Sequence, residues 1–471
     1  MTKWNCFFER DIFSELLKWA KTSTKGLFLR GPRQVGKTSV LLKLGETDLF
    51  SGCLYIDLRS PEIRAWWEHD KNGLGWYERF QQFAKTFKAS VVFGEPFREE
   101  NKPLVILDEI QESPKMFNSI RDIVNEQKVK LAATGSYLGI AEFENRFSSI
   151  GQPYFMPVGN VQPLEMGTLT YREALRACNQ FMPNLSKTEV FERYFQFGGY
   201  PAVVKDWMQS DGSKDCIATL QHIYAVLQRE AQRYIQEPLP QSVWDLMFVG
   251  VAQQIDRKDD ILQNHDQEIT YKLRIPDTNA VSRDNKISMM YWMLSCDLLI
   301  SGIVTNNLNK LDNIVKRSYY FADQGLLFLA LTNSTLYPSL PINRGNMSGI
   351  LAENYVALSF KEYMVPLSYV KGNTEEIDFL YQSPTDTKPD ALEVKFSGGK
   401  TVSSEKALSD GKVKRIVKIQ RDFEQSTDTT IIYPMEDMDK FGEFLGYSKE
   451  HNRYVFPDLD IFQAYGGSRN G

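Results

Sequence analysis

Cysteine and histidine are scarce in this chain. Five cysteines (Cys6, Cys53, Cys178, Cys216, Cys296) and four histidines are scattered over 471 residues with no Cys-x-x-Cys pair. That spacing supports neither a disulfide framework nor a zinc site, and the thiols read mostly as core residues. Long apolar runs are missing too. None approaches the roughly 18 residues a membrane span needs, and Met1-Thr2-Lys3-Trp4-Asn5 lacks the apolar core of a signal peptide. A cytoplasmic location away from membranes is therefore expected. Neither sign of charge dominates: a net charge of −5 exerts no global pull on nucleic acid, so any DNA or RNA contact needs a local patch. What the chain does have is apolar substance, 42% hydrophobic against 24% charged, enough for cores in roughly two to four domains.

Residues 31–38, Gly31-Pro32-Arg33-Gln34-Val35-Gly36-Lys37-Thr38, satisfy G-x-x-x-x-G-K-[ST] between an apolar run at 27–29 and a helix-like run at 39–44. This pattern builds a phosphate cradle. The glycines let the backbone curl so that successive N–H groups point at phosphate, Lys37 reaches the β- and γ-phosphates, and Thr38 offers a hydroxyl to Mg²⁺. With Ser39, these residues are the expected nucleotide-binding set. Downstream, Pro103-Leu104-Val105-Ile106-Leu107 reads as a buried parallel strand ending in Asp108-Glu109. Asp108 is placed to hold Mg²⁺ and Glu109 to polarise a water against the γ-phosphate; the alternative is an acidic pair capping the next helix. A further strand, Lys130-Leu131-Ala132-Ala133-Thr134, ends in Gly135-Ser136. Ser136 is a candidate γ-phosphate sensor, although Thr-Gly-Ser is also ordinary turn chemistry. Asp57, ending another strand at the same edge, is a possible Mg²⁺ or water ligand or else a solvated turn residue.

The periodicities divide the chain. Residues 1–165 alternate strand and helix signals, the pattern of a parallel sheet with helices on both faces and so an α/β fold. Residues 166–235 turn helical, with a break at Gly198-Gly199-Tyr200-Pro201, and read as a lid or connector. In 236–340, helices at 242–254 and 285–295 precede two strands (298–304 and 318–321), which fits a winged helix. Its second helix offers Met289, Met290, Tyr291, Trp292 and Met293, an apolar set better suited to domain packing than to reading DNA. After a polar linker at 341–348, residues 345–471 resume an α/β pattern. A helix at 347–363 carries Glu353, a strand at 376–381 carries Asp378, and the strand Ala391-Leu392-Glu393-Val394-Lys395-Phe396 puts Glu393 and Lys395 on one face. Asp378, Glu393 and Lys395, with Glu353 as a possible further ligand, suit Mg²⁺-assisted phosphodiester hydrolysis; a solvent-facing ion pair on an edge strand is the other reading.

Gly-Pro-Arg-Gln-Val-Gly-Lys-Thr (31–38), Leu-Asp-Glu-Ile-Gln (107–111), Thr-Gly-Ser (134–136), Gly-Gly-Tyr-Pro (198–201), Tyr-Phe-Ala-Asp-Gln-Gly-Leu (320–326), Glu-Ile-Asp-Phe-Leu (376–380) and Glu-Val-Lys (393–395) occur in that order. Together they resemble prokaryotic AAA+-class ATPases fused to a C-terminal restriction-endonuclease-like domain of the PD-(D/E)xK type. The resemblance implies a P-loop NTPase core using ATP and Mg²⁺, a winged-helix middle and a nuclease-type fold at the end. It also places Arg10 at the family's early arginine. Where family sequences carry Gly-Arg after the Thr-Gly-Ser strand, this chain has Asn145-Arg146. Arg146 is the candidate arginine finger, in cis or across a subunit interface, or else a surface residue paired with Glu142 or Glu144; Arg33 is the next candidate.

Two functions follow as expectations. In one, nucleotide state controls a nuclease whose Asp378, Glu393 and Lys395 cut DNA or RNA. In the other, the chain is an ATP-driven switch whose C-terminal domain only binds nucleic acid, a protein partner or a second copy. A purely structural ATP site is disfavoured by Glu109, which a scaffold does not need.

Overall fold

The structure is a computed structural model. It describes residues 8–68, 73–97, 101–135, 159–209, 213–234, 241–257, 262–265, 268–271, 289–290, 292–305, 316–332, 347–362, 368–371, 376–382, 386–397, 399–421 and 426–444. The first sheet has six strands: β1 (Gly26–Arg30), β2 (Gly52–Asp57), β3 (Val91–Gly94), β4 (Leu104–Asp108), β5 (Lys130–Gly135) and β6 (Val161–Glu165), in the order β3-β2-β4-β5-β1-β6. All neighbours are parallel except the edge strand β3, which the alternation did not announce and which runs antiparallel to β2. Side chains along the central strands alternate between two cores, as the period of two requires. Phe28, Leu54, Ile56, Val105 and Leu107 join one; Leu27, Leu29, Cys53, Leu104 and Ile106 join the other. The first core is closed locally by α3 (Pro61–Glu68), α4 (Trp76–Thr86) and α5 (Pro114–Glu126). The second takes in α1 (Ile12–Thr22) and α2 (Lys37–Gly45) and continues without interruption into the rest of the molecule.

The connector is helical, with one correction to the sequence reading. Residue Glu165 ends β6 rather than opening a helix, and α6 (Tyr171–Phe181) begins at a capping box in which Thr170 and Glu173 satisfy each other's backbone N–H groups. A second box at Ser186 and Glu189 starts α7 (Lys187–Phe197). Then follow α8 (Pro201–Gln209) and α9 (Ser213–Tyr234). The Gly198-Gly199 break has a steric cause. Gly198 has φ of 75° and faces the Asp323 carboxylate, while a Cβ at Gly199 would overlap the Leu169 carbonyl. The Gly199 N–H instead donates to Asp323 Oδ2 at 2.9 Å. Two of the motifs that carried the resemblance are thus a single junction.

The second sheet crosses from the middle of the chain into its last third. Helix α10 (Gln241–Arg257) leads to β7 (Leu262–His265) and β8 (Glu268–Tyr271). Then β9 (Leu299–Thr305) pairs antiparallel with β10 (Lys316–Phe321), and β9 also pairs in parallel with β11 (Ser368–Lys371), next to β12 (Glu376–Ile377). Met289, Met290, Trp292 and Met293 are buried, in line with packing; of the expected helix at 285–295, residues 285–288 and Tyr291 lie outside the described residues. Helices α11 (Gln324–Thr332) and α12 (Met347–Glu362) lock together through Asn354, which exchanges hydrogen bonds with the Phe321 backbone and donates to Gln324 Oε1 at 2.7 Å.

The third sheet is β13 (Phe379–Tyr381), β14 (Asp390–Lys395), β15 (Ile416–Gln420) and β16 (Thr430–Pro434) in that order. The strand expected at 376–381 is broken at Asp378, so that β12 stays in the second sheet and β13 starts the third. Strand β14 lies inside its sheet, which removes the edge-strand reading of Glu393 and Lys395.

Candidate active site

Helix α2 starts from a left-handed Gly36, φ 96°, at the end of the loop after β1. A Cβ at Gly31 would collide with the Met166 carbonyl, so this glycine is required by packing as well as by its φ of 145°. The loop is pinned from outside. Arg10 donates from Nη1 to the Val35 carbonyl at 2.8 Å, from Nη2 to those of Gly167 and Thr168, and from Nε to Glu173 Oε2 at 3.0 Å. Within the loop, Lys37 Nζ donates to the carbonyls of Gly31 and Pro32, both at 2.7 Å. Burial pushes the Lys37 ammonium down to about 8, against the pull of Glu109 and Asp108.

The carboxylates come from β4, two strands from β1 with β5 between. The helix start brings Thr38 across that gap: its Oγ1 donates to Asp108 Oδ2 at 2.9 Å. Tyr55 on β2 donates to the same oxygen at 2.7 Å, a contact no motif signalled. Burial raises the Asp108 pKa, and the two hydroxyls resist that rise. Glu109 sits in the left-handed region, φ 53°, a conformation that costs a non-glycine residue about 1–2 kcal/mol and that turns its carboxylate out of the strand. Gln111 Nε2 donates to Glu109 Oε2 at 2.5 Å, and Arg33 Nη1 lies 3.5 Å from Glu109 Oε1. The thermodynamically strained residue is therefore the one assigned to the attacking water.

Other expected residues fall elsewhere. Asp57 pairs in register with Asp108, but its carboxylate accepts from the Arg59 backbone and guanidinium at 2.8–3.0 Å, the turn role. Thr134 Oγ1 donates to the Leu29 carbonyl and serves the sheet. Ser136 and Arg146 lie outside the described residues. Two groups from later in the chain reach the cradle instead, and sequence spacing held no sign of either. Glu230, near the end of α9, contacts Arg33 Nε. Asp297, left-handed at φ 56°, is half-buried, and desolvation followed by Glu165 pushes its carboxyl up to about 6 while Lys361, Arg30 and Lys37 pull it down.

In the third sheet, Asp378, Glu393 and Lys395 do meet. Asp378 Oδ2 accepts the Val394 N–H at 2.8 Å and lies 3.5 Å from Lys395 Nζ, which is 3.0 Å from Glu393 Oε2. Ser404 donates to Glu393 Oε1. Burial and the Asp378 charge raise the Glu393 pKa. Glu353 does not complete a cluster with them. Its carboxylate accepts the Tyr320 hydroxyl at 3.0 Å, and among the described residues no group of three metal-ligating side chains occurs. The metal expectation there contracts to two carboxylates.

Among solved structures, the chain is similar to a Walker-type ATPase of Pyrococcus abyssi, with 13% identity, 69% of this chain and 96% of that one covered, and a TM-score of 0.43. It is also similar to a signal transduction ATPase with numerous domains and a tetratricopeptide repeat sensor from Pyrococcus horikoshii, with 14% identity over 62% and 45% of the two chains and a TM-score of 0.29. No curated protein matches. No helix among the described residues is long and apolar enough to cross a membrane. Residues 23–175, which contain the cradle, Asp108 and Glu109, match the family model of the AAA domain. Over this stretch the chain is similar to AAA-type ATPase domains, and the cradle motif at 31–38 and the Asp108-Glu109 strand end fall inside the matched residues.

Proposed function

We propose that the chain is a Mg²⁺-dependent ATPase whose nucleotide state is passed to a C-terminal nuclease-like module. The observation that carries this reading is the 2.9 Å contact between Thr38 Oγ1 and Asp108 Oδ2, made at the mouth of the cradle that Lys37 closes. A hydroxyl and a carboxylate are the hard oxygen donors Mg²⁺ takes, so Thr38 and Asp108 would hold the ion, whose charge when bound offsets that of the phosphates. The cradle backbone at 31–38 binds the β-phosphate, and Lys37 trades its carbonyl partners for the β- and γ-phosphates. Glu109 accepts the proton of the attacking water as the water oxygen bonds to the γ-phosphorus and the bond from that phosphorus to the β–γ bridging oxygen breaks, with ADP leaving on that oxygen. The test is equilibrium binding of a fluorescent ATP analogue in the presence of Mg²⁺. Lys37→Ala should abolish it; undiminished binding by that variant would refute the cradle assignment.

The module at the end has its own support. Asp378 and Glu393 are buried side by side with Lys395 between them, the set of groups that hydrolyses phosphodiesters with a divalent cation. Phe396, the next residue, stacks on Phe195 of α7 with centroids 5.5 Å apart, and Lys187 of the same helix pairs with Asp437 and Asp439. The connector between the two sites therefore touches both. In this reading the domains are 1–165 for the ATPase, 166–235 for the connector, 236–340 for the winged helix and 345–471 for the nuclease-like fold, in a cytoplasmic protein whose further partner is DNA or RNA.

A further inference from the structure

Arg33 belongs to the phosphate loop, yet its guanidinium is shared between two carboxylates from distant parts of the chain. Nη1 lies 3.5 Å from Glu109 Oε1, and Nε contacts Glu230 Oε2 in the last turns of α9. Both carboxylates are buried, and the second oxygen of Glu109 is taken up by Gln111. In this arrangement Arg33 and Gln111 occupy the two carboxylate oxygens of Glu109 that an attacking water would need. A triphosphate tail in residues 31–38 brings a larger negative charge to the same guanidinium, with the planar, paired oxygen geometry arginine binds best.

We infer that Arg33 is the coupling residue between nucleotide and connector, held by Glu230 and Glu109 without phosphate and drawn to the phosphates when they bind. The inference rests on the ATPase reading. Two consequences come from one side-chain movement. Glu109 is released to act on water, and the end of α9 loses the Arg33–Glu230 pair that ties it to the cradle, so it opens more readily. Linkage makes the effect reciprocal, so whatever draws Glu230 away from Arg33 favours nucleotide binding.

The experiment measures binding of a non-hydrolysable fluorescent ATP analogue to the full chain as wild type, Glu230→Gln, Arg33→Gln and the double variant. Glu230→Gln removes the competitor for Arg33 and should tighten binding by about fivefold or more. In the Arg33→Gln background the same change should alter affinity by less than about twofold, because the coupling passes through that guanidinium. No gain in the single variant, or an equal gain in both backgrounds, overturns the inference while leaving ATP binding intact. Absence of binding by the wild type would instead remove the ATPase reading itself. Hydrogen exchange on the wild type needs no variant: amides at the end of α9 should exchange faster with nucleotide, by at least about threefold, and unchanged exchange contradicts the coupling.

Discussion

Lys37 shows how much of this site is decided by single side chains. Its ammonium is buried and stands at about 8, below its ordinary 10.5. The unfolded chain therefore holds more protons between those values, and the nucleotide-free protein gains stability from this group as pH rises through that window. Phosphate needs the charged form. Nucleotide affinity should fall once pH exceeds about 8, by up to about tenfold per unit, with a proton taken up on binding. Titration calorimetry in buffers of different ionisation enthalpy checks both, and a flat affinity across the window would show that Lys37 stays charged. The functional residues legible in sequence were those that a spacing rule ties to backbone geometry: Gly31, Gly36, Lys37, Thr38 and the Asp108-Glu109 strand end. Tyr55, Glu230 and Asp297 reach the site by tertiary folding from other elements, and nothing in their own sequence neighbourhoods marks them.

At the scale of elements, the cradle is only as rigid as its supports. Arg10 ties the loop carbonyl of Val35 to Glu173, which is also part of the capping box of α6. Arg10→Ala takes the guanidinium from the buried Glu173 carboxylate, which keeps the Asp11 and Thr170 N–H donors, and breaking such a buried pair costs up to about 3–5 kcal/mol. The variant should unfold at lower temperature and bind nucleotide more weakly, and Arg10→Lys should not restore either, because an ammonium cannot replace a fork that reaches four acceptors. Thermal melts followed by nucleotide titration measure this; unchanged melting would show that the network is dispensable. Most elements of the first 165 residues were readable because buried parallel strands leave continuous apolar runs. The exceptions have physical causes. The edge strand β3 carries only half-buried residues and a Gly94 end, too little pattern to register. The break at Asp378 follows from a side chain that accepts the Val394 N–H, an interaction with a residue sixteen positions away.

For the whole molecule, one apolar core runs from the ATPase sheet through the connector to Phe441, and ion pairs such as Arg172–Glu362 and Lys187–Asp437 reinforce it. Separate activities in such a body can still be separated by mutation. Lys395→Ala should remove Mn²⁺-dependent cleavage of labelled DNA or RNA while ATP turnover survives, since Lys395 pairs with Asp378 and Glu393 of the C-terminal module. Cleavage that persists in that variant would leave the C-terminal module a binding domain. The account as a whole stands on hydrolysis at Glu109. Its most direct test is release of phosphate from MgATP by the full chain, wild type against Glu109→Gln, with nucleotide binding measured on the same samples. The account predicts binding within about threefold of wild type and turnover lower by about 10²-fold or more. Equal turnover in the two proteins would contradict it.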